Sequence, residues 1–502
     1  MNSKTNYMKK FKLHILFCFL LMIGFNTGCK KLLEEDPKAT ITLGELDPVL
    51  LDQTVIGVYE PMTRSRGRLW ESTIGLGFEL MSEYADGGPS QVSWSNYNNI
   101  MNNPNALAQP WTTLYEAIGR ANLLIANLDA NTTLTDDLKK KAYAEAYFVR
   151  ATCYYFAVRV WGSVPMRLKP ILNSDDVALA KTDVQTIYAQ IITDLKYAEI
   201  NLPNTVPAAI AGRATAGAAK VTLADVYLTK GDYQNARTKA KEVIDNRATY
   251  GYDLEPSLAT VYSPTLATNK EDVFSLKFSQ VLDRGAFMAS YWADSKAKAA
   301  GFSVSGNKFG GIMSQVPLIS GWDNNDLRKK FSLYTNYVIN GVLTNAEVEP
   351  GIYDMRMGKY KDPAAPIDTG NGNDFYFFRY ADVLLIFAEA DNKLNGPTVD
   401  AYEAINKVRR RAFGVNINAP SATADLPGGL SQTGFDDMVF RERGYEFIGE
   451  DKRWFDMIRT NRVDATISAA RATIPSPNRK PTPTKTLFAL PDVEIQNNPL
   501  AK

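Results

Sequence analysis

Three acidic residues near the C-terminus, Glu442, Glu446 and Glu450, are of the type that a glycosidase uses as its pair of catalytic carboxylates. Arginine and lysine residues alternate with them along the stretch from Arg441 to Arg459. A guanidinium beside a carboxylate favours the ionised form and lowers its pKa, whereas a general acid needs a raised pKa. The pattern therefore favours a solvated, salt-bridged pair of helices over a pair of catalytic acids.

The elements that would position these side chains are two helices separated by a turn. Helical periodicity predicts a first helix from about Phe435 to Phe447, a break at Gly449, and a second helix whose apolar side contains Trp454, Phe455 and Ile458. Lys452 and Asp456 are four residues apart, and Asp456 and Arg459 are three apart. Each pair is therefore expected to meet on the helix surface.

Histidine and cysteine content excludes several kinds of catalytic site. The only histidine is His14, and the cysteines are Cys18, Cys29 and Cys153. A mature chain that begins at Cys29 has no histidine, which excludes Ser-His-Asp catalysis, Cys-His catalysis and histidine-ligated metals. Cys153 lies in an apolar helical pattern and is predicted to be a small buried residue. With 56 basic and 55 acidic residues and no basic tract, the chain is not expected to bind nucleic acid.

The N-terminus has the composition of an export signal. Four lysines precede the apolar segment from Leu13 to Phe25, which is too short for a confident membrane span, and small residues then lead to Cys29. This order resembles a bacterial lipoprotein signal. It predicts a signal peptide over residues 1–28, lipidation at Cys29 and a charged tether over residues 29–45. The alternative is an ordinary secretory signal with an incidental cysteine.

Helices dominate the rest of the chain. Apolar periodicity predicts them over residues 47–62, 111–128, 138–160, 187–202, 216–246, 379–390 and 401–412. Within residues 216–246, the spacing of Tyr227, Gly231 and Ala236 resembles a tetratricopeptide repeat, although Lys220 stands where a large apolar residue is usual. Helix pairs of this kind stack into a right-handed superhelix.

Two irregular regions interrupt the helices, residues 64–104 and 250–378, and both are rich in Gly, Asn, Ser and aromatic residues. Their aromatic content argues against disorder, and long structured loops of this kind are usually functional. They contain four of the seven tryptophans: Trp70, Trp94, Trp292 and Trp322. The other three, Trp111, Trp161 and Trp454, lie in helical patterns and are predicted to be core.

Several motifs together resemble the SusD-like (RagB/SusD) family of nutrient-binding lipoproteins. The C-terminal signature of that family is filled here by Glu442, Arg443, Glu446, Gly449, Glu450, Arg453, Trp454, Asp456 and Arg459. Residues 144–165, from Ala144-Glu145-Ala146 to Gly162-Ser163-Val164-Pro165, resemble a second family motif, and residues 486–499 resemble its closing segment. The resemblance implies a mainly α fold of tetratricopeptide-like repeats with loop-rich insertions. It divides the mature chain into an N-terminal region, 46–249, and a C-terminal region, 250–502.

The resemblance also implies a function. Members of the family bind a nutrient glycan at the outer membrane, facing the exterior, and deliver it to a SusC-like TonB-dependent transporter without catalysis, cofactor or metal. Sugar rings stack on exposed aromatic side chains, and neighbouring polar groups bond their hydroxyls. The candidate glycan-binding residues are therefore those of the two irregular regions: Trp70, Trp94, Tyr97, Asn98, Trp292 and Trp322. For each tryptophan taken alone, local packing is the alternative.

Other interpretations remain open at this point. A tetratricopeptide scaffold that binds only protein would need none of these aromatic residues. A carbohydrate-active enzyme would take its acids from the C-terminal motif or from Glu79, Glu83 and Asp86. Residues 323–326 and 371–374 carry oxygen ligands of the kind that Ca²⁺ prefers, but turns favour the same residue types.

Overall fold

Nine long helices form the framework of the part of the chain that the computed structural model describes, residues 44–64, 70, 74–282, 284–476 and 479–501. In chain order, α1 to α9 span Pro48–Thr63, Ala108–Ala130, Asp136–Trp161, Val184–Asn201, Ala216–Thr229, Tyr233–Asp245, Tyr380–Asn395, Val399–Ala412 and Gln432–Glu446. The shorter helices are Gly75–Leu80, Val92–Ser95, Tyr97–Asn102, Arg247–Tyr250, Leu258–Val261, Met288–Trp292, Pro317–Ser320, Leu327–Ser332, Arg453–Arg459, Val463–Arg471 and Asp492–Asn497. The predicted helices are confirmed, with ends that differ by a few residues.

Local sequence signals set the ends of α3, the longest of these helices. The Thr135 side chain accepts from the amide of Leu138, and Asp136 and Asp137 occupy the first turn, where negative charge favours a helix N-terminus. Gly162 follows the last residue with φ +73°, a left-handed conformation that favours glycine. The chain can therefore turn sharply at this point.

The helices α1 to α7 pack in order, each against the next, and α8 and α9 pack against α7. Small buried residues, Ala218, Ala236 and Ala240, let α5 and α6 approach closely. The turn between them contains Gly231 at φ +74°, as the tetratricopeptide-like spacing predicts. Lys220 is tolerated in α5 because its ammonium contacts two carboxylates at the edge of the stack, including that of Glu242 at 2.7 Å.

A long insertion separates α6 from α7. The chain leaves the stack after Asp245 and returns at Tyr380, where α7 packs directly on α6. Residues 246–379 therefore fold beside the stack as a separate layer of short helices, strands and turns. This layer corresponds to the second predicted irregular region. The first contains three short helices, Gly75–Leu80, Val92–Ser95 and Tyr97–Asn102, which the sequence did not predict.

The strands are short and pair in twos. In chain order, β1 to β10 span Ala85–Gly87, Val164–Pro165, Lys181–Thr182, Asp272–Leu276, Gly310–Ile312, Leu333–Tyr334, Asn336–Ile339, Val342–Asn345, Arg356–Met357 and Phe375–Arg379. The antiparallel pairs are β1 with β5, β2 with β3, β4 with β10, β6 with β9 and β7 with β8. Among these pairs, β1 with β5 joins the two irregular regions.

The C-terminal segment crosses back over the first irregular region and fixes it in place. Lys480 is fully buried, and its ammonium donates to the carbonyls of Leu80 at 2.7 Å and Ser82 at 2.9 Å. Arg479 donates to the carboxylate of Asp86, in the middle of β1, at 2.6 Å. These long-range bonds hold the irregular residues in a defined conformation.

The burial of Cys153 and of three tryptophans agrees with the predictions from the sequence. Cys153 is buried as a free thiol, and Trp111, Trp161 and Trp454 are buried core residues, as predicted. No helix in the described residues is both long and apolar enough to cross a membrane. Cys29, the signal peptide and most of the tether lie outside the described residues.

Candidate functional site

The carboxylates of the C-terminal motif lie in a buried network of ion pairs, so the expected solvated surface is wrong. Glu446 has no exposed surface, and its carboxylate contacts Arg411 at 2.6 Å, Arg379 at 2.9 Å and Arg328 at 3.0 Å. Glu450 contacts Arg379 at 2.8 Å. Buried charges of this kind require partners, and here each acid has at least one guanidinium.

The arginines hold these two acids ionised. Burial alone raises the pKa of Glu446, but the charges of Arg411 and Arg379 outweigh it and leave the pKa well below its usual value. For Glu450, the charges of Arg379 and Lys359 likewise outweigh burial and lower the pKa. Neither group has the raised pKa that a general acid needs, as the sequence predicted.

One of the two predicted helix-surface pairs forms. Asp456 contacts Arg459 at 2.8 Å, as expected for residues three apart. The prediction for Lys452 is wrong, because its ammonium contacts Asp382 of α7 at 2.6 Å. Lys452 precedes the helix that contains Asp456 and Arg459, so its side chain is directed toward α7. The motif thus joins the C-terminal helices to the helical stack.

The acids of the first irregular region are also engaged in structure. Glu83 contacts Arg453 at 2.6 Å, and Asp86 contacts Arg479 at the same distance. Glu79 accepts from the amide of Gly449 at 2.6 Å, and burial raises the pKa of its carboxyl to about 7. All three carboxylates are almost fully buried, so a substrate could not reach them.

The five aromatic glycan candidates are buried as well, which corrects their assignment as stacking surfaces. Relative exposure is 2% for Trp70, 7% for Trp94, 0% for Tyr97, 4% for Trp292 and 2% for Trp322. A sugar needs one open ring face, and these rings are covered by protein. Local packing, the alternative for each tryptophan, describes their environment.

Specific contacts explain this burial. Trp322 stacks on Tyr445 of α9 with centroids 4.7 Å apart, and its indole donates to Asp326 at 2.9 Å. Tyr97 stacks on Trp454 at 5.4 Å. Trp94 lies so close to Gly77 that a Cβ there would be 2.5 Å from the indole ring. The aromatic residues therefore attach the irregular regions to the helices.

The polar candidates also have structural partners. The side-chain oxygen of Asn98 accepts from the backbone amide of Thr484 at 2.9 Å and from the Thr484 hydroxyl at 2.7 Å. Asp326 caps the helix Leu327–Ser332, in agreement with the turn alternative for residues 323–326. Asp374 contacts Lys277 at 2.7 Å. Among the described residues, no group of three or more His, Cys, Asp or Glu side chains is arranged to hold a metal ion.

The two irregular regions meet at β1 and β5, and a different set of aromatic side chains lies beside this junction. Gly87 pairs with Gly310, and the amide of Gly88 donates to the carbonyl of Phe309 at 2.8 Å. Pro89 and Ser90 follow on the solvent-exposed side. Residues from both regions can therefore contribute to one surface, as the family resemblance implied.

Three half-buried rings form this surface: Phe287, Tyr291 and Phe309, here called the platform cluster. The ring centroids of Phe287 and Tyr291 are 4.3 Å apart, and those of Tyr291 and Phe309 are 5.2 Å apart. The ring planes are inclined by 64° and 48°, so the three rings form an angled surface and not a flat one. Partly open aromatic rings of this kind can contact the C–H face of a sugar.

Backbone bonds position the platform cluster. Tyr291 lies on the short helix Met288–Trp292, which buries Met288 and Trp292 and leaves Tyr291 half-exposed. The amide of Phe309 donates to the carbonyl of Tyr291 at 3.2 Å, and that of Lys308 donates to Ala293 at 3.1 Å. Phe309 is thereby held against the helix. The candidates chosen from the sequence were tryptophans, Tyr97 and a polar neighbour, so they did not include the platform cluster. The helical i,i+4 spacing of Phe287 and Tyr291 was a signal that could have indicated it.

Comparison with known proteins places the chain in a family. The SusD family profile matches residues 284–499, and a profile described as starch-binding associating with outer membrane matches residues 33–228. SusD-like protein P25 of Formosa agariphila is 27% identical over 538 residues, with 97% of both chains covered. This chain is a member of the SusD-like family. The resemblance read from its motifs is thus confirmed.

Solved structures confirm the predicted fold class of this SusD-like protein. A SusD homolog from Bacteroides thetaiotaomicron superposes with a TM-score of 0.78 at 21% identity, covering 90% of this chain and 96% of that chain. Surface glycan-binding protein A from the same species, solved in complex with laminarihexaose, has a TM-score of 0.72 at 18% identity, covering 89% and 97%. The fold is mainly α, with tetratricopeptide-like helical repeats.

Proposed function

We propose that this SusD-like protein binds an oligosaccharide or polysaccharide at the platform cluster and releases it, chemically unchanged, to a TonB-dependent outer-membrane transporter. The observation that carries the proposal is the partly open cluster of Phe287, Tyr291 and Phe309 beside the junction of the two irregular regions. A solved SusD-like protein of the same fold is named as laminarin-binding, which supports a glycan ligand.

A role in delivery also fits the location that we propose for the protein. Lipidation at Cys29 would anchor the mature chain to the outer membrane, and we place the folded part on the exterior side. Release to a transporter must follow capture, so we expect modest affinity, a Kd from millimolar to micromolar or roughly −4 to −8 kcal/mol.

Binding without catalysis is supported by the state of the acids. Glu446 and Glu450 are ion-paired and buried, and Glu83 and Asp86 are bound to arginines. All four carboxylates therefore lack the access that hydrolysis of a glycosidic bond needs, and Glu446 and Glu450 also lack the raised pKa of a general acid.

Affinity electrophoresis of the purified chain through a panel of polysaccharides tests the proposal, with reducing ends measured in each lane. We expect retardation by a glycan without new reducing ends. Isothermal titration with oligosaccharides of the retarding glycan should then show a two- to ten-fold weaker Kd for each of Tyr291→Ala and Phe309→Ala, about 0.5–1.5 kcal/mol per ring.

A matched control is Tyr143→Ala. Tyr143 is also half-buried and packs on another ring, that of Tyr147, but it lies on α3 outside both irregular regions. Its removal should leave the Kd unchanged. Equal losses in all three variants would contradict the placement of the site, and new reducing ends would contradict binding without catalysis.

A further inference from the structure

A second group of half-buried aromatic residues in the insertion surrounds a lysine. The ammonium of Lys361 lies 4.3 Å from the ring centroid of Phe302 and 5.9 Å from that of Phe331. Phe302 also packs against Tyr334, with centroids 4.9 Å apart. These four residues, here called the Lys361 cluster, are all half-buried and not fully enclosed.

Lys361 differs from the other cations of the insertion. In the described part of residues 246–379, one set has oxygen partners: Lys277, Lys296, Lys308, Arg328, Lys329, Arg356, Lys359 and Arg379. A second set is solvent-exposed: Arg247, Lys270, Arg284, Lys298 and Lys330. Lys361 is half-buried, and no described residue gives its ammonium a carboxylate or a hydrogen-bond acceptor.

The adjacent acid does not neutralise this charge. Asp362 is fully buried, and its carboxylate accepts from the side-chain amide of Gln280 at 2.6 Å and from the backbone amide of Gly372 at 2.7 Å. Burial lowers the pKa of Lys361, and no acid acts to raise it. The aromatic rings offset part of the cost of desolvation, but they provide no anion.

The Lys361 cluster is connected to the platform cluster through one buried acid. Asp294 follows the helix that contains Tyr291, and its carboxylate accepts from the hydroxyl of Tyr337 and, at 2.5 Å, from the amide of Glu347. The ring of Tyr337 packs against Phe302 at 5.2 Å. The two aromatic clusters therefore belong to the same folded layer.

We propose that Lys361 binds an acidic group of the glycan, a uronate carboxylate or a sulfate ester, while the rings of Phe302 and Tyr334 contact the sugar. This inference rests on the proposed function and narrows it to acidic glycans. An external anion would supply the partner that the protein does not provide, in a partly desolvated position where a charge-assisted hydrogen bond is strong.

Matched pairs of glycans test the proposal on the wild-type chain. Oligogalacturonate is compared with its methyl ester, which has the same backbone without the negative charge, and sulfated κ-carrageenan oligosaccharides are compared with the same oligosaccharides after chemical desulfation. We expect binding of at least one acidic member, at least ten-fold tighter than its neutral counterpart, and weakening as salt is raised. The pair that shows this difference distinguishes a carboxylate from a sulfate.

Variants then locate the charge. Lys361→Met should lose ten-fold or more in affinity for the acidic glycan, whereas Lys361→Arg should stay within a few-fold of wild type because it keeps the charge. The matched control is Lys298→Met, an exposed lysine of the same insertion without a partner, which should bind as wild type. Thermal unfolding of each variant reports whether the fold is intact, and the wild-type pairs do not depend on any variant folding.

The outcomes separate the two proposals. A chain that binds neutral glycans but prefers no acidic member keeps the proposed function and overturns the role of Lys361. Equal affinity of Lys361→Met and wild type for an acidic glycan overturns it as well. Absence of binding to every glycan, acidic or neutral, contradicts both.

Discussion

Neutralisation of Glu446 gives the sharpest test of how the C-terminal motif acts. Its carboxylate has no exposed surface and contacts three guanidinium groups, with Arg411 and Arg379 on one oxygen and Arg328 on the other. Glu446→Gln keeps the shape of the side chain but removes the charge. The amide oxygen can replace the first oxygen, and the amide nitrogen then faces Arg328, donor against donor.

The expected cost follows from this geometry. Removal of one partner from a buried ion pair leaves an uncompensated charge and costs about 3–5 kcal/mol. Glu446 is the shared partner of three arginines, so we expect Glu446→Gln to lower the free energy of unfolding by an amount in that range. The expected loss is a large fraction of the stability of a typical domain.

Urea unfolding followed by tryptophan fluorescence measures this effect through the midpoint and the slope. The matched control is Asp245→Asn, which neutralises an exposed partner of Lys241 at 2.8 Å on α6. Such an exposed helical pair contributes about 0.3–0.5 kcal/mol. A loss below about 1 kcal/mol for Glu446→Gln would refute the reasoning, because the network would then not depend on this charge.

Two further predictions concern buried groups. Because the folded pKa of Glu79 is about 7, above its ordinary 4.5, the folded chain binds the extra proton between these values. Through Glu79, stability therefore falls as pH rises through that window, by up to about 3 kcal/mol. Glu79→Gln should make the loss of stability between pH 4.5 and 8, measured by urea unfolding, smaller than in wild type; the rest of the loss comes from other acids with raised pKa values, such as Asp451 and Asp374. An unchanged loss would contradict the prediction. Trp322→Ala should cost about 3–5 kcal/mol in urea unfolding yet leave the glycan Kd of the folded chain unchanged, whereas a weaker Kd at unchanged stability would restore Trp322 as a binding residue.

The helical stack could be predicted because its signals are local. Periodicity, the Thr135 cap and Gly162 define α3 within a few residues, and Gly231 defines the turn between α5 and α6. These features depend on neighbours along the chain, which are visible in the sequence. The connection of α6 to α7 across the insertion was not visible, since it joins residues that are more than a hundred positions apart.

The environment of the charged motif could not be predicted for a physical reason. Spacing alone places Asp456 near Arg459, and this pair forms. The partners of Glu446 are Arg328, Arg379 and Arg411, which lie far from it in the sequence. A dense run of both charge signs usually indicates a solvated surface, and only the tertiary fold shows that these charges are buried. The prediction that the acids are ionised held because the charges of the neighbouring arginines outweigh the effect of burial on the pKa.

The residues that we propose for binding were harder to predict because tryptophan can either pack in a core or stack on a sugar. These regions are long and rich in aromatic residues, and aromatic rings attach them to the helices, as Trp322 does on Tyr445. The largest rings bury the most apolar surface, and in these regions they lie in the core. Smaller rings at the rim, such as Tyr291 and Phe309, then remain partly open for a ligand. Our proposal for the platform cluster therefore implies that, in a loop-rich layer with its own core, a half-buried phenylalanine or tyrosine beside a strand junction is a better indicator of a glycan surface than a tryptophan.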